Sequence, residues 1–70
     1  MPNITVEGPA IKDLDRKRTL VREMTDAAHK AYGLPKDVIV VVVKENPPEN
    51  VAVGGILIAD RQKSAPEKSR

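Results

Sequence analysis

The usual sets of nucleophilic side chains are missing from this chain of 70 residues. It has no cysteine, no serine between glycines, and one histidine, His29. A functional histidine needs partners that hold and orient it, so a lone one in a predicted helix is better interpreted as a surface or boundary residue. Zinc sites need several imidazole or thiolate ligands, and we expect neither a metal site nor a cofactor.

Pro2 offers a different reactive group, the amine of the chain terminus. Removal of Met1, which is expected before a residue as small as proline, leaves a secondary amine. A free α-amino group has a pKa of about 7.7–8.0, and an apolar pocket with a nearby cation disfavours its charged form. A neutral amine near pH 7 can act as a general base. From position alone, however, a proline that merely starts a strand is the better interpretation.

Four elements are predicted around Pro2. Residues 2–7 alternate apolar and polar types, which is typical of a half-buried strand that carries Pro2 on its apolar face. A core-facing helix is predicted from an N-cap at Asp13 to Gly33. A valine-rich strand covers residues 38–43, and a short hairpin turns at Gly54 and Gly55. The fold class is therefore α+β: a β-α-β unit with parallel strands plus a short C-terminal hairpin.

The valine-rich run indicates self-association. Residues 38–43 read Val-Ile-Val-Val-Val-Val, without the alternation of a strand that has one solvated face. One helix covers only one face, so we expect the other face to meet a second subunit. A core of this size, without disulfides or zinc, also favours oligomerisation as its source of stability.

Charge divides the chain into two segments, a domain over residues 1–60 and a loose basic tail over residues 61–70. The net charge is +2 overall, with +3 in the last ten residues and −1 in the first sixty. Because nucleic-acid-binding domains carry their basic residues on a folded face, we expect no nucleic-acid partner. The start has no basic stretch before an apolar one, and no run is long enough to span a membrane. We therefore expect a cytoplasmic protein that does not bind membranes.

From Pro2 to about Ile58, the sequence resembles the 4-oxalocrotonate tautomerase family, and the order and spacing of the shared features need no gap. These features are Pro2 at the start of a strand, the segment Thr19-Leu20-Val21-Arg22-Glu23, the valine strand ending at Lys44-Glu45, and Val53-Gly54-Gly55. The resemblance implies that paired units form a homohexamer, a trimer of dimers. It also implies 1,3-keto–enol tautomerisation of a small enol or keto carboxylate.

The resemblance implies site residues as well. The catalytic base is Pro2, and the carboxylate-binding arginine of the family aligns with Lys12, which keeps the charge but loses the bidentate fork. A second family arginine aligns with Val40, so that function is missing there. The aromatic pocket wall aligns with Val51, and Asn50 is a further candidate polar contact that nothing in the spacing selects.

Two alternatives remain open at this stage. The wider superfamily includes proline-dependent dehalogenases and decarboxylases, in which a protonated Pro2 favours acid chemistry and a neutral one favours base chemistry. In the second alternative, the chain is a non-catalytic oligomeric scaffold that has the fold of the family but lacks the second cation.

Overall fold

The parallel β-α-β unit predicted from the sequence is confirmed. The structure, a computed structural model, describes residues 1–64, with side chains described for residues 1–61. Strand β1 (Asn3–Gly8) and strand β2 (Val40–Glu45) pair in parallel, from Asn3 opposite Val40 to Gly8 opposite Glu45. They are connected through helix α1 (Leu14–Tyr32). Along β1 the even-numbered residues are half-buried and the odd-numbered ones exposed, as the alternation predicts.

Both predicted ends of α1 are confirmed. The Asp13 side chain accepts a hydrogen bond from the Asp15 N–H at 2.9 Å, which satisfies one of the free donors of the first turn. At the other end Gly33 adopts φ 71° and ψ 19°, and its N–H donates to the His29 carbonyl. Glycine enters this left-handed region without the steric cost that other residues incur.

The valine-rich strand begins two residues later than predicted. Val38 ends a 3-10 turn over Lys36–Val38, and the N–H of Ile39 donates to the Lys36 carbonyl at 3.1 Å. The backbone donors of these residues are used in the turn after Pro35, so regular pairing with β1 starts at Val40.

Within one chain, α1 leaves one face of the sheet uncovered. Among the described residues, only Ala28 and Ile39 form a buried apolar core. Val42 stays 43% exposed in the middle of β2, and Leu14, the first residue of α1, is 54% exposed. The second cover expected for the valine strand is absent from a single copy, so that expectation stays a prediction.

The C-terminal hairpin is confirmed, and a helix follows it that was not predicted. Strand β3 (Ala52–Val53) and strand β4 (Ile56–Leu57) pair antiparallel around Gly54 and Gly55, both with positive φ. Helix α2 (Ile58–Ser64) then includes part of the segment expected to be loose.

Two hydrogen bonds hold α2 against the hairpin. The Ile58 N–H donates to the Val51 carbonyl at 2.8 Å, and the Arg61 guanidinium donates to the Val53 carbonyl at 3.1 Å. Residues 61–64 belong to this helix, and the predicted division into a domain over residues 1–60 and a loose tail stays a prediction. Residues 65–70 of the predicted basic tail lie outside the described residues.

Candidate active site

Pro2 lies at the start of β1, half-buried beside the start of β2. Its carbonyl accepts a hydrogen bond from the Val40 N–H at 3.0 Å, so the main chain of Val40 fixes its position. Met1 is 81% exposed, which leaves the Met1–Pro2 bond at the surface. While Met1 is present the Pro2 nitrogen is part of a peptide bond, and the base chemistry requires its removal.

The other predicted site residues lie at the opposite end of the sheet. Lys12 is exposed in the loop that follows β1, while Asn50 and Val51 follow β2. A six-residue strand spans about 20 Å at roughly 3.3 Å per residue. A single chain therefore does not bring Pro2 together with Lys12, Asn50 and Val51.

A pocket of about 470 Å³ lies where β1 and β2 end. Its lining consists of Glu7, Gly8, Pro9, Asn46, Pro48, Val51 and Ile58. Val51 is thus the one predicted binding residue that borders the pocket. A volume in this range is typical of sites for small molecules.

The polar groups of this pocket are an acid and an amide. The Asn46 side-chain amide donates to Glu7 Oε2 at 2.8 Å, across 39 residues of sequence. Sequence reasoning missed both residues. The carboxyl ends of parallel strands meet at one edge of a sheet, so the polar residues beside Gly8-Pro9 and Pro47-Pro48 carried a signal that could have identified them.

Glu45 fixes the loop that carries Lys12. One carboxylate oxygen, Oε2, accepts from Lys17 Nζ at 2.7 Å and from the Ile11 N–H at 3.0 Å. Two hydrogen bonds lower the pKa of Glu45 below its ordinary value, and the one from Lys17 contributes more than the one from Ile11. The carboxylate therefore joins the end of β2, the start of α1 and the residue before Lys12.

His29 has a contact that fits its interpretation as a boundary residue. Its Nδ1 lies 2.6 Å from the Leu34 carbonyl, where the chain leaves α1 after Gly33. The residue is half-buried and lies in the last turn of α1. In residues 1–61, no group of three or more His, Cys, Asp or Glu side chains is placed to hold a metal ion. No helix in residues 1–64 is long and apolar enough to cross a membrane.

Comparison with known proteins gives consistent matches along nearly the whole chain. A family model described as "Tautomerase enzyme" matches residues 2–61. The crystal structure of DmpI from Archaeoglobus fulgidus is 42% identical, covers 84% of this chain and 100% of that chain, and has a TM-score of 0.75. TomN, a 4-oxalocrotonate tautomerase homologue in the tomaymycin biosynthetic pathway, is 35% identical, with 90% and 97% coverage and a TM-score of 0.81.

A curated relative agrees with the solved structures. A probable tautomerase of Listeria innocua is 33% identical over 60 residues, which are 86% of this chain and 98% of the relative. The β-α-β unit with its short hairpin is also the fold of the 4-oxalocrotonate tautomerase homologues. A match that begins at Pro2 and runs through the hairpin shows that the chain belongs to the tautomerase family.

Proposed function

We propose that the protein is an isomerase that interconverts the enol and keto forms of a small 2-oxo carboxylate, with the Pro2 amine as general base. The observation that carries this proposal is the family match from residue 2 onward, together with a half-buried Pro2 at the start of β1. The chemistry needs no cofactor. The protein would work in the cytoplasm, without a nucleic-acid or membrane partner.

The proposed site is shared between copies of the chain. Because Lys12, Asn50 and Val51 lie about one strand length from Pro2 of the same chain, they would serve Pro2 of another copy. The exposed apolar side chains support self-association, since a small core gains stability when such surfaces are covered. A homohexamer built as a trimer of dimers is the assembly that we propose.

The proposed reaction is a proton transfer through one amine. The neutral Pro2 nitrogen takes the proton of the enol hydroxyl, and the resulting ammonium delivers a proton to the carbon at the far end of the double bond. The oxygen becomes the keto oxygen as the carbon–hydrogen bond forms. The Lys12 ammonium holds the substrate carboxylate and stabilises the negative charge that develops on oxygen.

Ketonisation of phenylenolpyruvate tests the proposed base. Intact mass first establishes that Met1 is absent from the purified protein. Pro2→Ala should then lower kcat/KM by about 100-fold or more, the range that general base catalysis contributes. Pro35→Ala, the same substitution at an exposed proline before the 3-10 turn, serves as the control and should retain activity.

The pH–rate profile separates the proposed base from acid chemistry. Activity should fall as pH falls, because protonation of Pro2 removes the base. Equal turnover by Pro2→Ala and the parent would refute the mechanism. A processed parent that converts no enol would instead favour the non-catalytic scaffold.

A further inference from the structure

The pocket at the end of β1 and β2 has one charged lining residue, the Glu7 carboxylate. We propose that Glu7, held by Asn46, makes the site select 2-oxo acids whose far end is uncharged and reject dicarboxylates. The inference rests on the proposed function, which places the substrate next to Val51 on the wall of this pocket. Glu7 would then be a specificity-determining residue apart from the proposed base and its cation.

The hydrogen bond between Asn46 and Glu7 determines the polarity of the pocket. The Asn46 amide donates to Glu7 Oε2 at 2.8 Å, so one of its two donor hydrogens is already used. The Glu7 carboxylate is a pure acceptor when ionised. A second carboxylate brought beside it meets a like charge, and the two repel each other although Glu7 is exposed to water in the single chain.

The remaining lining favours an apolar group. Val51 and Ile58 are half-buried and border the pocket with apolar surface, and Gly8, Pro9 and Pro48 bring no charge. An alkyl or aryl end buried here gains the hydrophobic contribution of each methylene group removed from water. The volume of about 470 Å³ is sufficient for such an end.

Lys44 is the cation that could reverse this selectivity. It lies opposite Glu7 in the register of β1 and β2. It is not part of the pocket lining, and the ion pairs of residues 1–61 include none between Lys44 and Glu7. The Glu7 charge is therefore not neutralised by direct contact with Lys44.

The test compares the binding of two ligands of equal chain length. 2-Oxohexanoate ends in a methyl group, whereas 2-oxoadipate ends in a second carboxylate. Dissociation constants are measured by calorimetry on the processed, full-length protein. We expect the parent to bind 2-oxohexanoate at least tenfold more tightly, which corresponds to about 1.4 kcal/mol. Glu7→Gln, which keeps an acceptor for Asn46, should reduce the ratio to about threefold or less by strengthening 2-oxoadipate binding.

Lys44→Gln is the matched control and should leave the ratio unchanged. The inference is overturned by equal affinities of the parent for the two acids, or by a ratio of dissociation constants that is unchanged in Glu7→Gln. It is also overturned if both dissociation constants of the parent exceed about 10 mM. Preferred binding of 2-oxoadipate that disappears in Lys44→Gln would overturn it by assigning Lys44 to the second carboxylate. Binding does not require turnover, so a failure here is distinct from a failure of the Pro2 mechanism in the ketonisation assay.

Discussion

Substitution of Val42 by Asp should dissociate the oligomer and abolish activity while Pro2 stays in place. Val42 lies in the middle of β2, on the face of the sheet that α1 does not cover, in register with Thr5. A charge at this position is harmless in an isolated chain because the site is open to water. It becomes costly only when another copy covers the face.

The magnitude follows from the exposure of Val42. Full burial of a valine is worth about 1.5–3 kcal/mol, and 43% of this side chain remains exposed. Covering the remainder therefore contributes roughly 0.6–1.3 kcal/mol per subunit. An unpaired carboxylate buried in its place adds a desolvation cost of several kcal/mol. A total loss of about 4 kcal/mol per subunit weakens association by roughly 1,000-fold.

Sedimentation velocity over a concentration series, combined with phenylenolpyruvate ketonisation, measures both effects. The parent should sediment as an oligomer, and Val42→Asp as a species near the 7.6 kDa of one chain. Val42→Ile keeps the β-branched apolar side chain and should retain both the oligomer and the activity. The reasoning is refuted if Val42→Asp stays oligomeric, or if its monomer keeps the parental kcat/KM, because a shared site cannot work in one copy.

Two further substitutions examine local structure. Gly33→Ala should lower the free energy of unfolding by about 1 kcal/mol, since Gly33 holds φ 71° at the end of α1; urea unfolding measures the loss, and Gly33→Asn should lose less because asparagine tolerates this conformation. Glu45→Gln should raise KM more than it lowers kcat, as the loop before Lys12 loses its charged acceptor for Ile11 and Lys17. Because the pKa of Glu45 is lowered in the folded chain, its stabilisation is present above the ordinary glutamate pKa and is lost as pH falls through the lowered value. The parent should therefore lose more stability than Glu45→Gln in acid, and parallel stability–pH curves would contradict this.

The elements that the sequence predicted well are those determined by local interactions. Asp13 and Gly33 bracket α1 because capping and left-handed geometry depend on a few neighbouring residues. The glycine pair 54–55 sets the hairpin for the same reason. The start of β2 was misplaced because the 3-10 turn before it competes with sheet pairing for the backbone donors of Val38 and Ile39.

The parts that the sequence did not predict depend on contacts that neither composition nor periodicity reveals. Helix α2 is held by the Arg61 hydrogen bond to the Val53 carbonyl, and polar composition alone does not reveal that anchor. The pair formed by Glu7 and Asn46 joins residues 39 positions apart. Once parallel pairing is assumed, however, the register puts these two residues at one edge. For the candidate site, the sequence therefore shows the residue types. Their placement at two opposite ends of the sheet follows only from the topology of the fold.

The placement of Pro2 and the pocket at opposite ends of the sheet links assembly to catalysis through the direction of β1. The sheet of one chain is two-stranded, so β1 has a free edge on the side away from β2. Antiparallel pairing of this edge with the β1 of a second copy exchanges the two ends, and brings the start of one strand beside the end of the other. Because a small sheet needs a covered apolar face to be stable in water, this pairing would depend on further copies that pack over the face that includes Val42. Pro2 of each copy would then lie near the pocket that Val51 and Glu7 border in its partner, without any change within either chain. The same arrangement would cover backbone groups of an exposed strand edge, which is otherwise an aggregation hazard. Selection for a protected edge and selection for a complete site would therefore favour the same contact.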